Sequence, residues 1–159
     1  MLSESARMAS AAEARFRVQA PNSLPRAIKV IALDRAAEAV VRRLAAGGWQ
    51  HASFFSAADS GDAAISDLTG HPRTLEQEIG DADLVVMIAA PGGNAAAAAL
   101  IGRACSDRRV MTTGCLVCAS AARATDAART LAQLRPWSLM VVTANSDDYL
   151  DDMLAALRG

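Results

Sequence analysis

The sequence predicts an α/β domain of three layers: a doubly wound, mostly parallel five-stranded sheet with helices on both faces. Three observations carry this expectation. From Ala27 to the C-terminus, apolar runs of strand length alternate with helical patterns, the rhythm of βα units. The run Leu84–Ala90 (LVVMIAA) has no polar residue, as a strand covered on both faces requires. Hydrophobic residues make up 52% of the 159-residue chain but aromatics only 4%, so the core is aliphatic and suits close helix–sheet packing.

Residues 1–25 stand apart as an N-terminal arm and linker, ahead of a domain over 26–159. Ser3 can cap a helix from Glu4 to Phe16 with Met8, Ala11, Ala12 and Phe16 on one side, and Pro21 and Pro25 bracket a break. The domain opens with a strand at Ala27–Leu33. A helix at Arg35–Ala46 follows, with Ala36, Val40, Val41 and Leu44 on its apolar face. Gly47 and Gly48 stop that helix. Gln50–Ala57 reads as a second strand. Residues 58–73 carry turn signals, Asp59-Ser60-Gly61-Asp62 and Gly70-His71-Pro72, and read as the least ordered part of the domain. Thr74 with Gln77 fits a capping box for a short helix to Ile79. The strand Leu84–Ala90 then breaks at Pro91-Gly92-Gly93, and Asn94 opens a helix reaching Cys105. Arg109–Val117 is a fourth strand and Ser120–Leu134 a helix. Pro136–Ala144 holds the fifth strand, and Ser146–Leu157 is the last helix.

Charge and composition exclude several classes. The formal net charge of −1 gives nucleic acid or acidic membrane no purchase. No apolar run reaches the roughly 20 residues that cross a bilayer. The N-terminus lacks the apolar core of a signal peptide, and three cysteines suit a reduced, cytoplasmic protein. The expected partners are a second copy of the chain, as a homo-oligomer, or another cytoplasmic protein.

In a doubly wound sheet, ligands bind beyond the carboxyl ends of the strands. The strongest candidate there is Pro91-Gly92-Gly93-Asn94-Ala95, a glycine turn at a helix start. It can be read as a phosphate cradle or as an ordinary tight turn with Asn94 as cap. The first βα turn, Asp34-Arg35-Ala36-Ala37, has no glycine, which counts against a dinucleotide fingerprint; no phosphate-binding GxxxxGK[ST] occurs either. Cys115 and Cys118 form a CxxC, but inside a strand they point to opposite faces, and Cys118 lies at the ligand-facing end. His51 and His71 stand alone. Asp147, Asp148, Asp151 and Asp152 match helix-dipole compensation. No catalytic residue and no metal set is assigned.

Together these segments resemble the N-terminal, Rossmann-like nucleotide-binding domain of the FtsZ/tubulin superfamily, and FtsZ more than tubulin. The likeness lies in Ile28-Lys29-Val30-Ile31, in LEQEIGDADLVVMIAAPGGNAAAAALIGRAC from Leu75, and in LAQLRPWSLMVVTANSDDYL from Leu131. It implies GTP, GDP or another phosphate-bearing ligand at Pro91–Ala95 and a base contact at Asn145; Asp34, Arg35 and Cys118 are expected to line the crevice from their places at the strand ends of a doubly wound sheet. The departures are as informative. The family's first glycine loop is absent, its GGGTGTG survives only as Gly92-Gly93-Asn94, and its second domain is missing. The resemblance therefore implies a stand-alone degenerate domain without the family's hydrolysis, acting as a binding or regulatory module with weak nucleotide or phosphate affinity. The alternatives are a small enzyme for an anionic or nucleotide-derived substrate, and a purely structural oligomerising protein.

Overall fold

The computed structural model describes residues 25–58, 64–117 and 123–157. The arm expected over residues 1–25 lies outside them except for Pro25, and so does Cys118. The described chain forms β1 (Ile28–Ala32), α1 (Arg35–Ala45), β2 (Ala52–Ser56), β3 (Ala64–Asp67), β4 (Pro72–Thr74), α2 (Leu75–Gly80), β5 (Leu84–Ala89), α3 (Ala97–Asp107), β6 (Met111–Val117), α4 (Ala124–Leu134), a 3₁₀ turn at Arg135–Trp137, β7 (Met140–Ala144) and α5 (Asp147–Leu157).

This is an α/β fold whose sheet is mixed and seven-stranded, in the order β4-β3-β2-β1-β5-β6-β7. The five expected strands are present and mutually parallel. The expected count of five is corrected by an antiparallel pair, β3 and β4, on the β2 side. Both come from the segment read as irregular. They escape periodicity because they are only four and three residues long and Pro72 reads as a breaker. An edge strand tolerates proline, since its outward N–H needs no partner. The hairpin also departs from a Rossmann strand order. A parallel neighbour requires a crossover of a dozen or more residues, and Leu68–His71 is a four-residue turn.

Period-two alternation divides the core between the two faces of the sheet. Ile28, Val30, Leu84, Val86, Ile88 and Cys115 pack under α1 and α5 through Val40, Val41, Leu44, Leu150 and Leu154. Ile31, Val85, Met87 and Ala89 face α2, α3 and α4 through Ile79, Ile101, Cys105 and Leu134. On this second face Lys29, the chain's one lysine, reaches Glu78 Oε2 at 3.1 Å and lies 5.7 Å from the Phe55 ring centroid, tying α2 to the sheet.

Several boundaries differ from the sequence reading. Helix α3 begins at Ala97 and not at Asn94, because Asn94 Oδ1 accepts from the Ala96 N–H two residues on and holds a turn ahead of the helix. Thr74 occupies the N-cap position of α2 without a side-chain capping bond, so the expected capping box is not made. Pro136 and Trp137 belong to the 3₁₀ turn, and β7 starts only at Met140. Residues 118–122, where the α4 start was expected, lie outside the described chain; α4 is described from Ala124.

The β3–β4 turn is organised by one carboxylate. Asp67 Oδ1 accepts from Thr69 Oγ1 at 2.6 Å, from Thr69 N at 2.9 Å and from His71 N at 3.0 Å, while Gly70 takes φ 90°. The Thr69 hydroxyl, aided by these backbone donors and by His71, lowers its pKa from 3.8 to about 2. A folded-state value below the unfolded one means the stabilisation is complete above the unfolded pKa and is lost as pH falls through the folded value. The melting temperature should therefore fall more steeply between about pH 4 and pH 2 for the wild type than for Asp67→Asn. Superimposable acid limbs in a circular dichroism melt series would remove Asp67 from the acid response.

Candidate site at the carboxyl ends of the two central strands

Numbered among themselves, the parallel strands run 2-1-3-4-5, so the direction of winding reverses between β1 and β5. The crevice beyond the carboxyl ends of such a pair is the ligand position of open α/β sheets. Two loops meet there: Leu33–Asp34 after β1, and Ala90–Ala96 after β5.

Asp34 dominates the meeting point. It is only 8% exposed and serves both loops. Its Oδ1 accepts from Ala37 N at 2.8 Å, capping α1, and its Oδ2 accepts from Ala90 N at 2.9 Å, 56 residues away in sequence. Gly93 packs onto this carboxylate. A Cβ at residue 93 would lie 2.7 Å from Asp34 Cγ and 3.0 Å from its Cβ.

Four N–H groups of the glycine loop are spent within the protein. Gly92, at φ 79°, donates to Thr130 Oγ1 at 3.0 Å. Thr130 is fully buried on α4, and its hydroxyl donates in turn to Asp126 O at 3.2 Å. Ala95 N donates to Gln133 Oε1 at 3.2 Å, Gly93 N to Ala90 O at 3.1 Å, and Ala96 N to Asn94 Oδ1 at 3.0 Å. Two of these four donors therefore point at α4. Both glycines have local reasons: one supplies a positive φ, the other a close approach to Asp34.

The other sequence candidates are dispersed. Pro91 is half-buried in the same turn, and Arg35 is exposed at the first residue of α1. Beside it, Arg35, Glu38, Ala39 and Arg42 line a shallow 180 Å³ hollow on the helix exterior. There the Arg42 side chain, followed by the Ser56 hydroxyl, holds the Glu38 carboxyl below its ordinary value. Asn145 is exposed after β7, two strands from β5, which places it roughly 10 Å along the sheet. His51 sits at the opposite, amino end of the sheet, where its carbonyl accepts from Ile28 N, and His71 belongs to the β3–β4 turn. Burial pushes the Cys115 thiol up to about 12 and Cys105 to about 11, so neither is a thiolate nucleophile near neutral pH. Among the described residues no group of three or more His, Cys, Asp or Glu could hold a metal ion, and no helix is long and apolar enough to cross a membrane.

Sequence reasoning placed Asp34 in the crevice but missed its role as a cap, and it missed Thr130 and Gln133 altogether. Asp34 carried a signal: an aspartate directly before a helical pattern is a cap, not only a charge facing a ligand. Thr130 and Gln133 carried a weaker one, being polar residues three apart on one side of α4. Nothing in the sequence joins them to a loop some 38 residues earlier. The sequence matches no protein-family model and no curated protein.

Proposed function

We propose that the chain is a non-catalytic binding or regulatory module on a doubly wound, Rossmann-like framework, a degenerate relative of the FtsZ/tubulin nucleotide-binding domains. The observation supporting this reading is the Asp34 carboxylate. At the strand reversal it accepts the backbone N–H groups of Ala37 and Ala90, the kind of donor that an anionic ligand would otherwise take. A phosphate brought to Gly93 would meet a negative charge and a loop in which four N–H donors are engaged. The domain thus supplies internally the anion around which its relatives would close, and retained affinity for GTP, GDP or phosphate is at most millimolar.

Thermal denaturation with GTP, GDP and inorganic phosphate tests this. A ligand at about 5 mM with a Kd of the same size adds about 0.4 kcal/mol, a shift of about 1–2 °C; a Kd near 10 μM would add about 4 kcal/mol. The reading expects the small response or none. A rise of more than about 7 °C that disappears in Gly92→Asp would overturn it.

A further inference from the structure

We propose that the β7 edge of the sheet is the pairing surface for a second copy of this chain, joined antiparallel across a two-fold axis at Val142. The inference is independent of whether the crevice at Asp34 takes a nucleotide. It starts from a contrast between the two edges. At one end, β4 is three residues long, wholly exposed, and carries Pro72 and Arg73. Short length, proline and charge are the devices that stop an edge from pairing. At the other end, β7 has none of them. Ser138 to Asn145 (SLMVVTAN) is uncharged, Leu139 is 77% exposed and Met140 44%, and Val141 and Val142 are only half-buried. Among the described residues, β7 hydrogen-bonds to β6 alone.

The ladder determines which groups are offered. Leu139 N donates to Thr112 O, so Val141 and Thr143 continue the bonding to β6 by alternation. The N–H and C=O groups of Met140, Val142 and Ala144 point away from it. A two-fold axis at Val142 sets that residue opposite the partner's Val142, and Met140 opposite the partner's Ala144. Every outward residue then meets an outward residue, and the large side chain meets the small one. This register is self-complementary, as a closed dimer requires.

Charge selects the antiparallel arrangement. At the amino end of β6 and β7, Arg108, Arg109 and Arg135 are exposed and outnumber the exposed Asp107. After the carboxyl end of β7, Asp148, Asp151 and Asp152 are exposed on α5. Antiparallel pairing lays the basic end of each copy along the acidic end of the other; parallel pairing would set like against like. Leu139 and Tyr149, both exposed, extend the contact beyond the strand, toward the roughly 1,200 Å² that a specific interface buries.

The test is the mass of the full chain by sedimentation or light scattering at about 100 μM, where a dimer with a Kd of about 10 μM is largely assembled. The expected mass is twice the 16.5 kDa of one chain. Val142→Pro removes an outward N–H and no bond to β6, so it should leave a folded monomer by circular dichroism. Met140→Lys, which puts a charge on the edge, should do the same and serves if the proline variant fails to fold. A monomeric wild type overturns the proposal, as does a dimer that persists in either folded variant.

Discussion

Gly93→Ala should lower stability by about 2–3 kcal/mol, a fall of about 4–10 °C in melting temperature, although alanine is otherwise a benign replacement. The added methyl lands on the Asp34 carboxylate, 2.7 Å from Cγ. Asp34 cannot swing clear without releasing Ala37 N or Ala90 N, and a buried donor left without a partner costs about 1–3 kcal/mol. Asp34→Ala should cost a similar amount through the lost cap and the orphaned Ala90 N–H. The decisive measurement is the double variant. With the carboxylate gone, alanine at 93 loses its two shortest contacts and meets only the residue-34 Cβ at 3.0 Å, so the two penalties should fall short of additivity by about 1–2 kcal/mol. Additive losses in urea melts would mean that Gly93 and Asp34 do not form one unit.

Gly102→Ala should cost about 2 kcal/mol despite its place in a helix, where alanine is intrinsically favoured by about 1 kcal/mol. The new Cβ would lie 2.5 Å from Trp137 Cβ and 2.9 Å from its Cε3. Trp137 has little room to retreat. Its carbonyl accepts from Thr112 Oγ1 at 2.8 Å, and the Arg103 guanidinium sits 5.3 Å from its ring centroid. Gly80, at the end of α2, is the matched control, since a Cβ added there would have nothing within 4 Å. Gly80→Ala should be neutral or slightly stabilising. Equal effects at the two positions would place the α3–Trp137 contact elsewhere.

The sequence predicts the parallel frame well because β5 is apolar on both sides, β1 departs from this only at Lys29, and the helices carry apolar stripes. Leu84–Ala90 and Arg35–Ala46 need no tertiary information to be read. The Ala64–Thr74 hairpin was invisible for the opposite reason: its two strands are shorter than the period needed to distinguish them, and its order comes from Asp67 and the neighbouring β2. The candidate loop was legible in position but not in detail. Glycines at 92 and 93 look alike in sequence, yet one answers to its own φ and the other to a carboxylate brought in from residue 34. Where the loop's N–H groups are directed depends on Thr130 and Gln133, and only the packed helix α4 decides that.

The central place of β1 bears on the order in which the chain can assemble. β1 is the first described strand to leave the ribosome, yet it is paired on both sides, with β2 ending at Ser56 and β5 ending at Ala89. Its β2 side can close as a βαβ unit as soon as α1 has turned back on it. Its other side stays an open apolar edge until some thirty further residues have been made, about 2–6 s at ordinary elongation rates. Ala90 N reaches Asp34 only at that moment. The carboxylate that caps α1 early thus becomes a latch late, binding the first half of the nascent domain to the second.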